Sequence, residues 1–179
     1  ETEADQRHAD IIVQELGLAD ARPVSTPGEK SVREDEDADR ALGDKEETRY
    51  RALSARANYL AADRTDLMYP VKEICRSMAK PTVESWAKLK RRGRYLRGNG
   101  RVTTKYAWQG EESAVTSYSD SDWAGCRVTA KSTSGGVIMV GGHFIKGWSR
   151  TPNHVTLSSA EAELIAMVKC TAETWGSNP

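Results

Sequence analysis

Apolar residues recur at helical spacing through much of the first hundred positions. Over residues 4–18, Ile11, Ile12, Leu16 and Leu18 give partial amphipathic spacing, with Gly17 near the end as a stop signal. Pro23 and Pro27-Gly28 then break regular structure. Residues 46–97 predict three helices. Tyr50, Leu53, Ala57 and Leu60 form the first stripe. Leu67, Val71, Ile74 and Met78 form the second, with Pro70 in its first turn, where proline is tolerated. Trp86, Leu89, Gly93 and Leu96 form the third. Stripes of this kind predict a packed core. Gly98-Asn99-Gly100 ends the third helix.

After residue 100 the period changes. Residues 102–108 and 114–120 alternate as strands, with a turn over 111–113 between them. Residues 135–140 and 143–148 form a hairpin about Gly141-Gly142. No G-K-[ST] follows the glycine pair, so it is a turn and not a phosphate loop. Ser158 and Glu161 make an S-x-x-E capping box that opens a helix running to about Thr174. The fold class is therefore mixed α/β (α+β), helical first and sheet-containing second.

Charge divides the chain further. The 179 residues hold 26 Lys and Arg against 26 Asp and Glu, so the whole molecule is not a nucleic-acid magnet. The acids concentrate in residues 31–48, where Glu34, Asp35, Glu36, Asp37, Asp39, Asp44, Glu46 and Glu47 face only Arg33, Arg40 and Lys45. Such a block predicts a solvated linker. Four segments result: 1–30, the linker 31–48, the helical part 49–100, and 101–179. The three cysteines, Cys75, Cys126 and Cys170, form no C-x-x-C, so neither a zinc site nor a disulfide framework is indicated and a reducing intracellular setting fits. No apolar run approaches the length of a membrane span. The first residue is Glu1, not Met, and the chain is expected to be part of something longer.

Two places carry candidate chemistry. In Tyr118-Ser119-Asp120-Ser121-Asp122-Trp123-Ala124-Gly125 a strand runs into a turn, and alternation lets Asp120 and Asp122 share a face. A carboxylate pair at a strand end suits Mg²⁺, which takes hard oxygen ligands and keeps several waters. A turn rich in Asp and Ser also accounts for the segment without a metal. The second place is the helix that Ser158 opens. Glu161 and Glu163 lie about 200° apart on it and cannot face one surface. Glu161 is used by the cap. Glu163 shares its side with Ala166, Met167 and Cys170, and a carboxylate on such a side calls for a partner. That partner is expected to be a metal shared with Asp120, unless Glu163 is exposed at the rim of the stripe.

Tyr118 to Gly125, the run Lys131-Ser132-Thr133-Ser134-Gly135-Gly136, and Ser158-Ser159-Ala160-Glu161-Ala162-Glu163 occur in that order. Together they resemble the ribonuclease H domain of copia-type LTR-retrotransposon Pol polyproteins. Upstream, Glu15-Leu16-Gly17-Leu18 followed by Pro23-Val24-Ser25-Thr26-Pro27-Gly28 resembles the end of the family's reverse transcriptase region. Tyr50-Arg51, Tyr59-Leu60 and Arg64-Thr65-Asp66 look like its Y-R, Y-L and R-P-D positions, with Thr65 in place of proline. The resemblance implies the first part of a ribonuclease H-like mixed sheet with one helix, after a helical connection. It implies metal-assisted hydrolysis of RNA in an RNA–DNA hybrid, with Asp120 and Glu163 as catalytic residues and Mg²⁺ ligands and Asp122 outside the ligand set. Implied partners are the hybrid and the remainder of the Pol polyprotein, with no membrane. The implied setting is the cytoplasm or a virus-like particle, and the nucleus for integration.

The third helix concentrates positive charge in Lys88, Lys90, Arg91, Arg92, Arg94 and Arg97. This reads either as a surface that tracks a duplex backbone or as a solvated face that balances the acidic linker. The family's Y-x-D-D polymerase motif is absent from the sequence. The family draws two more acids from segments beyond the last helix. Here Glu173 is the only acid after Glu163, about 15 Å further along the same helix, too far to replace them. Two readings follow. The chain is a piece of a copia-like Pol protein whose parent cleaves hybrid and which is inactive alone, or it is a non-catalytic remnant that binds nucleic acid through the basic helix.

Overall fold

In a computed structural model, residues 1–28, 37–110, 114–126 and 129–176 are described. The turn expected over 111–113 lies outside them, as do Glu34, Asp35 and Glu36 of the acidic block. The described residues form five α-helices and two antiparallel sheets, the mixed α/β class expected. The chain divides into two compact units, residues 1–105 and 106–179.

The first unit is helical. Strand β1 (Thr2–Glu3) leads into α1 (Gln6–Glu15), whose N-cap Asp5 accepts the Arg7 N–H. The helix stops earlier than its apolar pattern suggests. Gly17 takes φ +66°, its N–H reaches Gln14 O, and the Leu18 N–H reaches Val13 O. This is a Schellman closure, which needs a left-handed residue where Gly carries no Cβ penalty. Helices α2 (Asp44–Leu60), α3 (Met68–Arg76) and α4 (Val83–Gly98) match the three stripes. Tyr50, Leu53, Leu60, Val71, Ile74 and Leu89 are all buried in one core. Gly93 leaves the notch into which α1's end packs. A Cβ there would stand 2.6 Å from Leu18 Cδ1 and 2.8 Å from Leu16 Cδ1.

Residues 37–48 of the acidic block pack into the first unit. Leu42 N–H reaches Pro81 O, and Val83 N–H reaches Arg40 O, so residues 38–42 run along 81–84. Asp44, Glu46 and Glu47 occupy the first turn of α2, where negative charge complements the helix dipole. The strand expected over 102–108 shrinks to β2 (Thr103–Thr104), because its partner β1 offers only Thr2 and Glu3.

Arg64 ties the helices together. Its side chain is 1% exposed, and all three guanidinium nitrogens are used. Nε and NH2 donate to Asp66 at 2.9 and 2.7 Å, while NH1 donates to Asn99 O at 2.9 Å. Tyr95 OH donates to the same Asp66 at 2.8 Å. Burial would raise the Asp66 pKa, but the hydrogen bonds from Arg64 and Tyr95 outweigh it and hold it below the usual value.

The second unit is a meander under one helix. Strands β3 (Val115–Asp122), β4 (Thr133–Val140) and β5 (His143–Arg150) pair antiparallel in that order, so β4 is central. The hairpin loop is Gly141-Gly142, as expected, with Gly141 at φ +56°. The Gln109 side chain spans it, donating to Val140 O and accepting from the Gly142 N–H. Helix α5 (Ser159–Trp175) packs on β3 and β4 through Ala162, Ala166 and Cys170. At its far end Glu173 accepts from Lys146 of β5 at 2.7 Å and from Lys169 at 2.9 Å. Those two hydrogen bonds hold the Glu173 carboxyl down to about 2.

Two outcomes test these contacts. Asp66→Ala strands a buried guanidinium and should cost about 3 kcal/mol in urea unfolding followed by helical ellipticity. A Glu173 pKa depressed in the folded state contributes stability that is present above its ordinary value and lost as pH falls through the folded one. Thermal melts should therefore show stability falling between pH about 4.5 and about 2, with a shallower fall in Glu173→Gln.

Candidate metal centre

The end of β3 and the first turns of α5 meet where the sequence places its two carboxylates. Alternation along β3 puts Tyr118, Asp120 and Asp122 on the exposed face, while Ser119 and Ser121 turn toward α5. The cross-strand partners agree: Ser134, opposite Ser121, is buried, whereas Gly135, opposite Asp120, is partly exposed. β3 is an edge strand, so part of its backbone has no strand partner among the described residues.

Glu163 uses that edge. Its Oε1 accepts the Ser121 N–H at 3.3 Å. Because Ser121 N follows directly on Asp120, the Glu163 oxygen lies within about 6 Å of the Asp120 Cα. The partner that the half-buried Glu163 requires is thus met in part by a backbone donor. Asp120 is exposed. Glu163 is held at the strand residue next to Asp120, and carboxylate oxygens are the hard ligands Mg²⁺ takes. No third His, Cys, Asp or Glu joins them among the described residues. Met167, expected beside Glu163, is exposed, while Ala166 and Cys170 are buried. Asp122 turns elsewhere: its carboxylate lies over Gly125, where a Cβ would stand 2.0 Å from Asp122 Oδ2.

The three motifs are joined by a polar hub that the sequence does not reveal. Ser132 Oγ accepts the Ala124 N–H at 3.2 Å and lies 2.7 Å from Thr156 Oγ1. Trp123 Nε1 donates to Thr156 O. Lys131 Nζ donates to Asn153 O. Gly136 lies under the Trp148 ring, 2.6 Å from where its Cβ would be. Ser158 caps α5 by accepting the Glu161 N–H. The capping box is displaced by one residue, since Glu161 accepts from the Leu157 N–H and not from Ser158. Ser132 and Thr156 are buried hydroxyls. Ser132 lies in the K-S-T-S-G run, while Thr156 lies outside all three motifs.

The basic cluster of α4 belongs to the other unit, and much of it is occupied. Arg91 NH2 donates to Thr26 Oγ1 at 2.9 Å, Arg94 Nε to Arg22 O at 2.8 Å, and Arg97 Nε to Ala19 O. Three arginines thus clasp residues 19–26. Pro23 packs on Gly98, with its Cβ 2.9 Å from where a Gly98 Cβ would stand. Arg92 is buried, donates to Lys88 O at 2.6 Å, and has its pKa lowered to about 10 by that burial. Lys88 pairs with Glu84 at 2.8 Å. Lys90 is exposed, 6.0 Å from the Trp86 ring centroid. A solvated basic face is therefore not what α4 presents at Arg92. No helix among the described residues is long and apolar enough to cross a membrane.

Relatives place this arrangement. The chain is 30% identical over 172 residues to the uncharacterized mitochondrial protein AtMg00810 of Arabidopsis thaliana, covering 96% of this chain and 70% of that one. It is 32% identical over 168 residues to the retrovirus-related Pol polyprotein from transposon RE2 of the same plant, covering 94% of this chain. It is 32% identical over 164 residues to the corresponding polyprotein from transposon RE1, covering 90%. The chain spans 11% of the length of each polyprotein. No family model and no solved structure matches. With motifs, fold class and relatives in agreement, the chain belongs to the copia-type retrotransposon Pol polyprotein family.

Proposed function

We propose that this chain carries the Asp120–Glu163 part of a metal-dependent ribonuclease H site, in a Pol protein that hydrolyses RNA in RNA–DNA hybrids. The observation that carries this reading is the bond from the Ser121 N–H to Glu163, which brings a helix carboxylate to the strand residue next to Asp120. Bound Mg²⁺ would supply Lewis-acid stabilisation and a more acidic water. Asp120 and Glu163 would hold it with two hard oxygens of opposite origin, one from the strand and one from the helix. The exposed Asp120 faces solvent, where a phosphate backbone could approach. The bond from the Ala124 N–H to Ser132 Oγ holds the turn that follows the strand end carrying Asp120. The partners implied are the hybrid and the remainder of the polyprotein. An intracellular setting fits three free cysteines.

Two carboxylates give weak affinity, and hybrid hydrolysis by this chain alone should be negligible. Mn²⁺ titration followed by water-proton relaxation should show weak binding. Asp120→Asn and Glu163→Gln should each weaken it by about tenfold, a loss of about 1.4 kcal/mol. Mn²⁺ binding that both variants leave unchanged would sink the site. Rapid Mg²⁺-dependent hydrolysis abolished by Asp120→Asn would keep the site and overturn the expected inactivity.

A further inference from the structure

Two hydroxyls under α5 lack partners where Glu163 needs them. Ser121 and Ser134 are directly opposed on β3 and β4, on the face that α5 covers. Ser134 is 2% exposed. Neither Ser121 Oγ nor Ser134 Oγ has a hydrogen-bond partner among the described residues, although both atoms are buried. A buried hydroxyl without a partner is costly, and both can donate. The Glu163 carboxylate can only accept, and Oε1 has the Ser121 N–H as a donor.

The geometry allows the three to complete one another. Since the Ser121 N–H is spent on Glu163, Ser121 and Ser134 form a pair not bridged by that donor. In such antiparallel pairs opposed Cβ atoms stand about 4.5–5.5 Å apart. Rotation about the two χ1 angles brings the oxygens within hydrogen-bond reach. Rotation of Ser121 also brings its Oγ toward the carboxylate that its own N–H already holds.

We propose that Ser134 and Ser121 are positioning residues for Glu163, through a relay in which Ser134 Oγ–H donates to Ser121 Oγ and Ser121 Oγ–H donates to the Glu163 carboxylate. Ser121 then grips one carboxylate with two donors, its N–H and its hydroxyl. The relay lies on the helix face of the sheet, while Asp120 lies on the other face, so it orients Glu163 without touching Asp120. Its consequence for metal binding rests on the function proposed above. The grip itself does not.

The test separates the two. Amide hydrogen exchange in the full chain without metal reads the Ser121 N–H directly, with Ile138 of the central strand as an internal reference. The relay predicts that Ser134→Ala and Ser121→Ala each speed exchange at position 121 by about fivefold relative to Ile138, as for one lost hydrogen bond. Ser134→Thr keeps a hydroxyl and should leave the ratio unchanged. Glu163→Gln should speed exchange at 121 as well. If the hydroxyls are merely orphaned, their removal relieves a buried polar group, and exchange at 121 stays level with Ile138 or slows. That result overturns the relay. With the relay in place, Ser134→Ala should also weaken Mn²⁺ binding about threefold, with Ser134→Thr restoring it. Should Asp120→Asn leave Mn²⁺ binding unchanged while the exchange ratios behave as stated, the metal reading fails and the grip on Glu163 stands.

Discussion

The second unit depends on a close approach between α5 and the sheet, made possible by small residues on both sides. Ala162, Ala166 and Cys170 recur every fourth position on the helix. Ser119, Ser121, Ser134 and Gly136 face them from β3 and β4. Little side chain intervenes, so backbone atoms come within reach of helix side chains. Cys170 Sγ meets Tyr118 O at 3.3 Å, and Glu163 meets the Ser121 N–H. Side chains as large as leucine at these positions would hold the helix off, and Glu163 would no longer reach the strand edge. Packing is thus the condition for this contact. The carboxylate is delivered to the Ser121 N–H by the size of its neighbours.

The same closeness explains the structural work of the other motif residues. Trp123, Ala124 and Gly125 make a tight turn with Ala124 at φ +53°, a conformation non-glycine residues enter at a cost. The bond from its N–H to Ser132 Oγ helps hold it there. Gly125 accommodates Asp122, and Gly136 accommodates Trp148. Within the three motifs these residues set where Asp120 and Glu163 stand.

Much of the fold was legible in the sequence because periodicity reports burial. The three stripes of the first unit, the Gly141-Gly142 hairpin and the Ser158 cap all follow from local rules. The two carboxylates were legible through the motifs that carry them. What could not be read depends on partners distant in sequence. The strand over 102–108 was cut to two residues by the length of β1, whose Thr2 and Glu3 pair with Thr104 and Thr103. The Ser132–Thr156 pair joins residues 24 apart with no periodic signature. Arg64 and Asp66 appeared only as a pattern, yet their bidentate pair with Tyr95 and Asn99 O ties the connection between α2 and α3 to α4.

The basic helix shows why a charge count misleads. Six cations on one helix suggest a surface for a polyanion, since phosphate contacts need charge more than sequence. But a guanidinium also carries five donors, and a peptide carbonyl is as good an acceptor as many. Residues 19–26 hold Pro23 and little regular structure, so several of their carbonyls have no helix or strand to bond them. Arg94 and Arg97 meet that need at Arg22 O and Ala19 O, and Arg91 adds Thr26 Oγ1. Their spacing of three keeps them on one side of α4, against the segment. The cluster is therefore explained by the carbonyls it satisfies. Whatever charge remains for an outside partner must come from groups such as Lys90, whose ammonium is exposed beside Trp86.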